Sequence, residues 1–304
     1  MNTKIYARKI ALSLVLIVLL GVSLLTACQT ATPTTAPTVA PTEAPSVPAV
    51  EPTALVLKLR VGVSPVPHGD IVNFVKDTLA PIIGLEIEVV EFSDYVLPNL
   101  ALNDGSIDVN FFQHLPYLTD FNASNGTDLV SVAGVHIEPL GIYSKTLKSL
   151  DELADGAVVA IPNDASNGGR ALNLLAANGL LKLKEGVGYA ATVADITENP
   201  KNLKISELEA AQLVRSLEDT SISVINGNYA LQGGLTPAKD ALALESGENN
   251  PYVNILAVKH GNEGNPAVQA FVALITSDEV KQFIEEKYAG SVIPAFTVSQ
   301  YIPQ

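Results

Sequence analysis

Arg170 stands where a carboxylate-sized site can form. It ends the run Ala160-Ile161-Pro162-Asn163-Asp164-Ala165-Ser166-Asn167-Gly168-Gly169-Arg170, which passes from an apolar strand through a polar turn into a helix. Backbone N–H groups at the start of a helix favour an anion, and a guanidinium in the first turn adds a fork that matches a carboxylate. A second cluster, Asn110-Phe111-Phe112-Gln113-His114-Leu115-Pro116-Tyr117, is also placed at a strand end. Phe112 and Tyr117 are spaced to wall an apolar slot, with His114 aiming a polar group into it. Tyr95 follows Phe92-Ser93-Asp94, Asn226 follows the apolar run at 221–225, and Asn254 lies three residues after Pro251. An Asn amide offers both a donor and an acceptor. Each of these residues also has an ordinary structural reading: a capped helix with a surface Arg, core aromatics beside a surface His, and Asn in turns.

Motifs for catalysis are missing. The sequence has no Gly-x-Ser-x-Gly elbow, no phosphate-binding loop and no complete Gly-x-Gly-x-x-Gly, since Gly186-Val187-Gly188 lacks the third glycine. Its four histidines, at 68, 114, 136 and 260, are widely spaced, and none forms a His-x-x-x-His pair. No nucleophile–base pair stands out, so the expectation is a non-enzyme without metal or cofactor.

The elements that must position these residues follow a βαβ rhythm. Residues 55–63 are β-rich, 70–79 carry apolar residues at helical spacing, and 85–92 (LEIEVVEF) alternate as a half-buried strand does. The rhythm predicts strands at 107–110, 129–132, 135–143, 157–161, 203–208, 221–225 and 253–258. It predicts helices through 95–102, 114–121, 168–177 and from 229, and a closing pair at 266–275 and 278–288. The class is α/β with mostly parallel sheets. Two crossings, near 139–142 and 251–254, would divide the body into two lobes with a cleft between them, the kind of place where small ligands bind.

Composition narrows the function. A 47% hydrophobic and 16% charged chain of 304 residues folds, and 18 basic against 32 acidic residues give a net charge of −14 that excludes a nucleic-acid surface. The lone Cys28 forms no intramolecular disulfide. It ends a leader with Lys4, Arg8 and Lys9 ahead of an apolar run from Ile10 to Leu25, which is shorter than the roughly 20 residues of a spanning helix. The layout Leu25-Thr26-Ala27-Cys28 resembles the bacterial lipobox, implying a signal peptide over 1–27 and lipidation of Cys28. Acyl chains anchor a protein at about 0.8 kcal/mol per buried CH₂. Residues 28–54 then form a Thr/Pro-rich, semi-rigid stalk.

Ordered matches along the body identify a resemblance to the methionine-binding lipoproteins of the NlpA/MetQ family. They include Glu91-Phe92-Ser93-Asp94-Tyr95-Val96-Leu97-Pro98-Asn99, Asn110 through Leu118, Ile161-Pro162-Asn163-Asp164, Gly169-Arg170, Glu198-Asn199-Pro200-Lys201-Asn202-Leu203 and Val224-Ile225-Asn226-Gly227-Asn228-Tyr229-Ala230. The resemblance runs from about Arg60 to Phe296. It implies an α/β, two-lobed type II periplasmic-binding-protein fold with a ligand cleft between lobes, lobe I being 55–140 plus 252–304 and lobe II 141–251. It implies capture of L-methionine at the extracytoplasmic face of the cell membrane and delivery to an ABC permease and, through it, its ATPase. Tyr95, Phe112 and Tyr117 match the family's apolar pocket around the thioether, and His114, Arg170, Asn226 and Asn254 its polar contacts. Arg170 suits the carboxylate, and Asn226 and Asn254 the amine. The pairs Gly168-Gly169, before Arg170, and Gly227-Asn228 depart from some relatives beside the pocket, which keeps another methionine derivative or a dipeptide such as glycyl-methionine in view. A non-transport surface lipoprotein is the reading from another class.

Overall fold

A computed structural model describes residues 56–298; the expected signal peptide, Cys28 and the stalk lie outside the described residues. The strands in chain order are β1 (Leu57–Val63), β2 (Leu85–Glu91), β3 (Val109–His114), β4 (Leu129–Ile137), β5 (Gly141–Tyr143), β6 (Val158–Pro162), β7 (Lys182–Leu183), β8 (Ile196–Glu198), β9 (Lys204–Leu208), β10 (Ile222–Ile225), β11 (Ala243–Leu244), β12 (Val253–Lys259) and β13 (Ile293–Val298). They make a six-stranded sheet in the order β13-β4-β12-β3-β1-β2, a five-stranded sheet in the order β11-β5-β10-β6-β9, and a small β7-β8 ladder.

The expectation of mostly parallel sheets is corrected. β1 pairs in parallel with β2 and β3, but β12 runs antiparallel to both β3 and β4, and β13 antiparallel to β4. The chain leaves the first sheet along β4 and returns to it along β12, so the two strands must run in opposite directions when they pair. In the second sheet β10 and β9 flank β6 in parallel, whereas β5 and β11 are antiparallel. The expected strand at 135–143 is broken at 138–140, where Pro139 has no N–H for a ladder and the chain changes sheets.

The helices are α1 (Asp70–Phe74), α2 (Leu97–Asp104), α3 (Leu115–Asn125), α4 (Ala165–Ala177), α5 (Leu213–Ser216), α6 (Gly227–Gln232), α7 (Pro237–Asp240), α8 (Pro266–Ile275) and α9 (Asp278–Tyr288). The closing pair α8 and α9 packs Phe271, Val272, Ile275 and Ile284 into the core of the first sheet with Val61, Val63, Phe111 and Val135. A separate core around Ile142, Val159, Ile161, Leu172 and Val224 holds the second sheet. Among the described residues no helix is long and apolar enough to cross a membrane.

This wiring explains where a site can form. β1, β6 and β10 end in short turns that lead into helices, β3 runs directly into α3, and Tyr95 lies in the turn between β2 and α2. Crevices outside the carboxyl ends of parallel strands are where open α/β sheets bind ligands.

Candidate functional site

All seven residues singled out at the strand ends line one cavity of about 320 Å³, mouth included, together with Gln113, Glu138, Asn167, Gly227 and Asn228.

β3 positions the first group. It is buried along its whole length, with Phe111 entering the core and Phe112 turned to the cavity, as the two-residue strand period requires. Its polar members are held by an amide triangle. Asn99 Nδ2 donates to Gln113 Oε1 at 2.8 Å, Asn110 Nδ2 to Asn99 Oδ1 at 2.8 Å, and Gln113 Nε2 to Asn99 Oδ1 at 2.7 Å. His114 then caps α3: its Nδ1 accepts from the Tyr117 N–H at 3.2 Å. That leaves Nε2 as the protonated nitrogen, 3.1 Å from Asn167 Oδ1. Both ring nitrogens are therefore engaged by the protein, and His114 gives the cavity a ring rather than the free polar group expected of it. Burial holds its pKa down at about 3, the nearby Arg170 charge adding to the effect.

The apolar wall is aromatic. The Tyr95 ring lies 5.9 Å from that of Phe112 and 5.6 Å from that of Tyr117, and Phe112 and Tyr117 are 6.1 Å apart. Rings at such distances present faces and edges that favour a polarisable sulfur. Tyr117 Oη donates to the Tyr95 carbonyl at 3.0 Å, and Tyr95 Oη to Asn228 Oδ1 at 2.6 Å, so neither hydroxyl faces the cavity unpaired.

The second sheet contributes α4. Asp164 caps it by accepting from the Asn167 N–H at 2.9 Å, and its carboxylate also takes Asn167 Nδ2. Asn167 Oδ1 in turn accepts from Asn226 Nδ2 at 2.8 Å. Gly168 and Gly169 let α4 approach its neighbours closely. A Cβ on Gly169 would sit 2.1 Å from the Tyr189 carbonyl oxygen and 3.1 Å from that of Ala191. Gly169→Ala should therefore destabilise by about 1–3 kcal/mol, the cost of overpacking, although a mid-helix Gly→Ala change ordinarily gains up to about 1 kcal/mol. Urea unfolding measures the sign directly, and a gain would mean that the 188–190 turn moves aside without cost.

Arg170 is buried, and its fork is already filled. Nε donates to Glu245 Oε1 and Oε2 at 3.0 and 3.2 Å, Nη2 also binds the Glu245 carboxylate, and Nη2 reaches the Glu138 carbonyl at 2.9 Å. Tyr252 stacks under it, 4.1 Å from Cζ to the ring centre. Only Nη1 has no partner among the described residues, so the two-pronged grip expected from Arg170 reduces to this one nitrogen. Spacing gave no sign of Glu245, which lies 75 residues away on the segment returning to β12.

Other groups in the cavity are also unspent. Asn226 Oδ1 and Asn228 Nδ2 are buried without hydrogen-bond partners. Asn254 Oδ1 is engaged by His68 Nε2 at 3.0 Å, which turns the Asn254 amide nitrogen away from that contact. Glu138 was not among the expected site residues. Its carboxylate is buried, and the desolvation raises its pKa.

Glu138, His68 and His136 are the one group of three His, Cys, Asp or Glu side chains among the described residues whose ligand atoms lie close enough to share an ion, all within 4.8 Å of one another. The donor set suits zinc, yet both Nδ1 atoms are buried without partners. A metal on Nε2 places the proton on Nδ1, where metal-bound histidines need an acceptor and neither of these has one. The trio fits a hydrogen-bonded network better than a metal site.

The family model described as NlpA lipoprotein matches residues 59–296. The D-methionine-binding lipoprotein MetQ of Escherichia coli is 51% identical over 212 residues, covering 69% of this chain and 78% of that protein. A nutrient-binding protein from Burkholderia cenocepacia, solved bound to methionine, is 46% identical with a TM-score of 0.76, over 78% of this chain and 100% of the other. A periplasmic substrate-binding protein of an ABC transporter from Coxiella burnetii is 41% identical with a TM-score of 0.75, again over 78% and 100%.

Proposed function

The chain belongs to the NlpA lipoprotein family, and from that premise we propose that it is an extracytoplasmic substrate-binding protein that captures methionine and delivers it to an ABC importer. Its fold is the α/β, two-lobed type II periplasmic-binding-protein fold with the cavity between the lobes. In this reading lobe I is 55–140 plus 252–304, lobe II is 141–251, and lipid on Cys28 holds the body at the membrane. The permease is the docking partner, and its ATPase drives release.

The observation that carries the ligand assignment is the set of unspent groups in the cavity. Asn228 Nδ2 is a buried donor without a partner and Asn226 Oδ1 a buried acceptor without one, both beside Arg170 in the cavity lining; the donors suit a carboxylate and the acceptor an ammonium. Tyr95, Phe112 and Tyr117 then wall the side chain. Such a site binds by contact and closure, without covalent chemistry. Exclusion of water lowers the local dielectric and strengthens the charged contacts.

Calorimetry on the purified full chain in detergent, unfolded and refolded to strip carried-over ligand, tests this. L-methionine should bind one to one. D-methionine, glycyl-methionine and leucine set the specificity, and leucine should bind more weakly because sulfur–aromatic contacts are worth about 0.3–1.5 kcal/mol. Absence of heat or a melting shift with all four would sink the methionine reading.

A further inference from the structure

Ile82 and Ile83 stand at the tip of a turn between α1 and β2, with 77% and 48% of their surfaces exposed. They belong to one short helical turn, Ala80–Ile83, that buries only Ala80 and is closed by Gly84 in the left-handed region at φ 71°. Pro81, Ile82, Ile83 and Gly84 are all exposed. Single exposed apolar residues are ordinary, but a contiguous group of them marks an interaction site. No charged residue occurs from 78 to 85 (TLAPIIGL), in a chain whose net charge is −14. The flanking charges come as opposite pairs, Lys76 with Asp77 at 3.9 Å and Lys58 with Glu86 at 2.8 Å.

The turn lies where the chain enters the body. Leu85 pairs with Leu57 in the parallel β1–β2 register, so the turn and Val56, itself half exposed, share the amino end of the first sheet. The cavity is at the other end, where β3 delivers Phe112 and His114. β1 is seven residues long, which puts the two ends at least about 20 Å apart. From Val56, 27 residues lead back to Cys28, a reach of at most about 100 Å, so a lipid on Cys28 keeps a bilayer accessible to this end of the body. Tethering turns a second contact with that bilayer into an intramolecular event, and a small apolar patch then suffices. We propose that Ile82 and Ile83 are a membrane-resting patch, whose occupant is the lipid surface itself at the boundary of headgroups and acyl chains. This rests on acylation of Cys28 in the function proposed above. The charge-free tip is what lets an acidic body come so close to lipid phosphates. At rest the cavity then faces away from the bilayer, toward the medium that brings the ligand, and the body turns over to present its cavity side to a permease.

The chain has no tryptophan, so Ile82→Trp supplies a single selective fluorescent probe. The acylated full chain is placed in vesicles of phosphatidylcholine brominated in its acyl chains, where bromine quenches an indole that reaches it. The Ile82→Trp emission should fall by at least about half, whereas that of Leu115→Trp, a half-exposed position at the cavity end, should hold. Because Trp favours membrane interfaces by itself, Ile83→Asp is then added to the Ile82→Trp chain and should cut the quenching at least about twofold, a carboxylate being costly to bury in lipid. Quenching that ignores Ile83→Asp means that the probe inserts alone, and overturns the proposal. Absence of quenching at position 82, or equal quenching at 82 and 115, overturns it as well. So does a blue shift at 82 that grows with protein density and ignores bromine, the signature of a second copy covering the patch. Mass spectrometry of the purified chain reads the acyl groups separately. A chain without them removes the anchor reading and this proposal together, and an acylated chain with an unquenched probe removes this proposal alone.

Discussion

Replacing Arg170 with methionine should lower the unfolding free energy by about 3–5 kcal/mol, the range for stripping one partner from a buried ion pair, and should abolish measurable ligand binding. The stability loss comes from what the guanidinium leaves behind. Glu245 loses its cation, and the Glu138 carbonyl loses a donor at 2.9 Å. Glu245 would retain only the Asn250 amide at 2.8 Å and the Leu140 N–H at 3.3 Å. These contacts come from the two segments that cross between the sheets, so the damage is centred where the lobes join. Adding Glu245→Gln to the Arg170 variant removes the stranded charge and should recover part of the stability but none of the binding. Denaturant unfolding and calorimetry on the single and double variants separate the two effects. Normal affinity in the single variant would take Arg170 out of the site.

Acid should weaken the fold well above the pH at which carboxylates titrate. Three buried histidines resist protonation: His68, with its pKa held down at about 4, and His114 and His136, each at about 3, all mainly through desolvation. In the unfolded chain a histidine takes up its proton near pH 6.5, so between there and the folded-state values the unfolded state binds more protons and gains stability. At pH 5 each histidine costs the folded state at most about 2 kcal/mol, taking 1.36 kcal/mol per pKa unit. Glu138 and Asp164 act the other way, because burial raises their pKa values and the folded state is relieved as they protonate. His260, whose pKa the Asp128 carboxylate raises, also favours the folded state in acid, but it is exposed and its share is small. With the three buried rings dominant, the melting temperature should fall by at least about 5 °C between pH 7 and pH 5. The loss stops growing below about pH 3–4. A melting temperature that holds or rises over this interval would mean that the rings open to water before the chain unfolds.

Much of the site was legible because it sits at strand ends. Phe112, His114 and Arg170 follow or close apolar runs, and in a βαβ chain the loops after such runs gather at one edge. Their polar chemistry was less legible. Glu138 falls inside 135–143, which has the pattern of a single strand, and only the break at Pro139 turns it into a crossing residue. Glu245 looks like any acidic residue of a polar loop, since nothing in sequence marks a carboxylate whose partner lies 75 positions away. His68 and His136 are likewise far apart in the chain, and the fold brings their rings to 4.9 Å. The mixed direction of the sheets was hidden for a related reason. Strand direction is set by where the chain returns, and hydrophobic period reports only which residues are buried.

Three hydrogen bonds join the two sides of the cavity. Tyr95 Oη donates to Asn228 Oδ1, His114 Nε2 to Asn167 Oδ1, and Tyr229 Oη to the Ser93 carbonyl at 3.1 Å. They must break before the two sides can part, so the escape of a bound molecule is timed in part by contacts that belong to the protein itself, over and above those of the cargo.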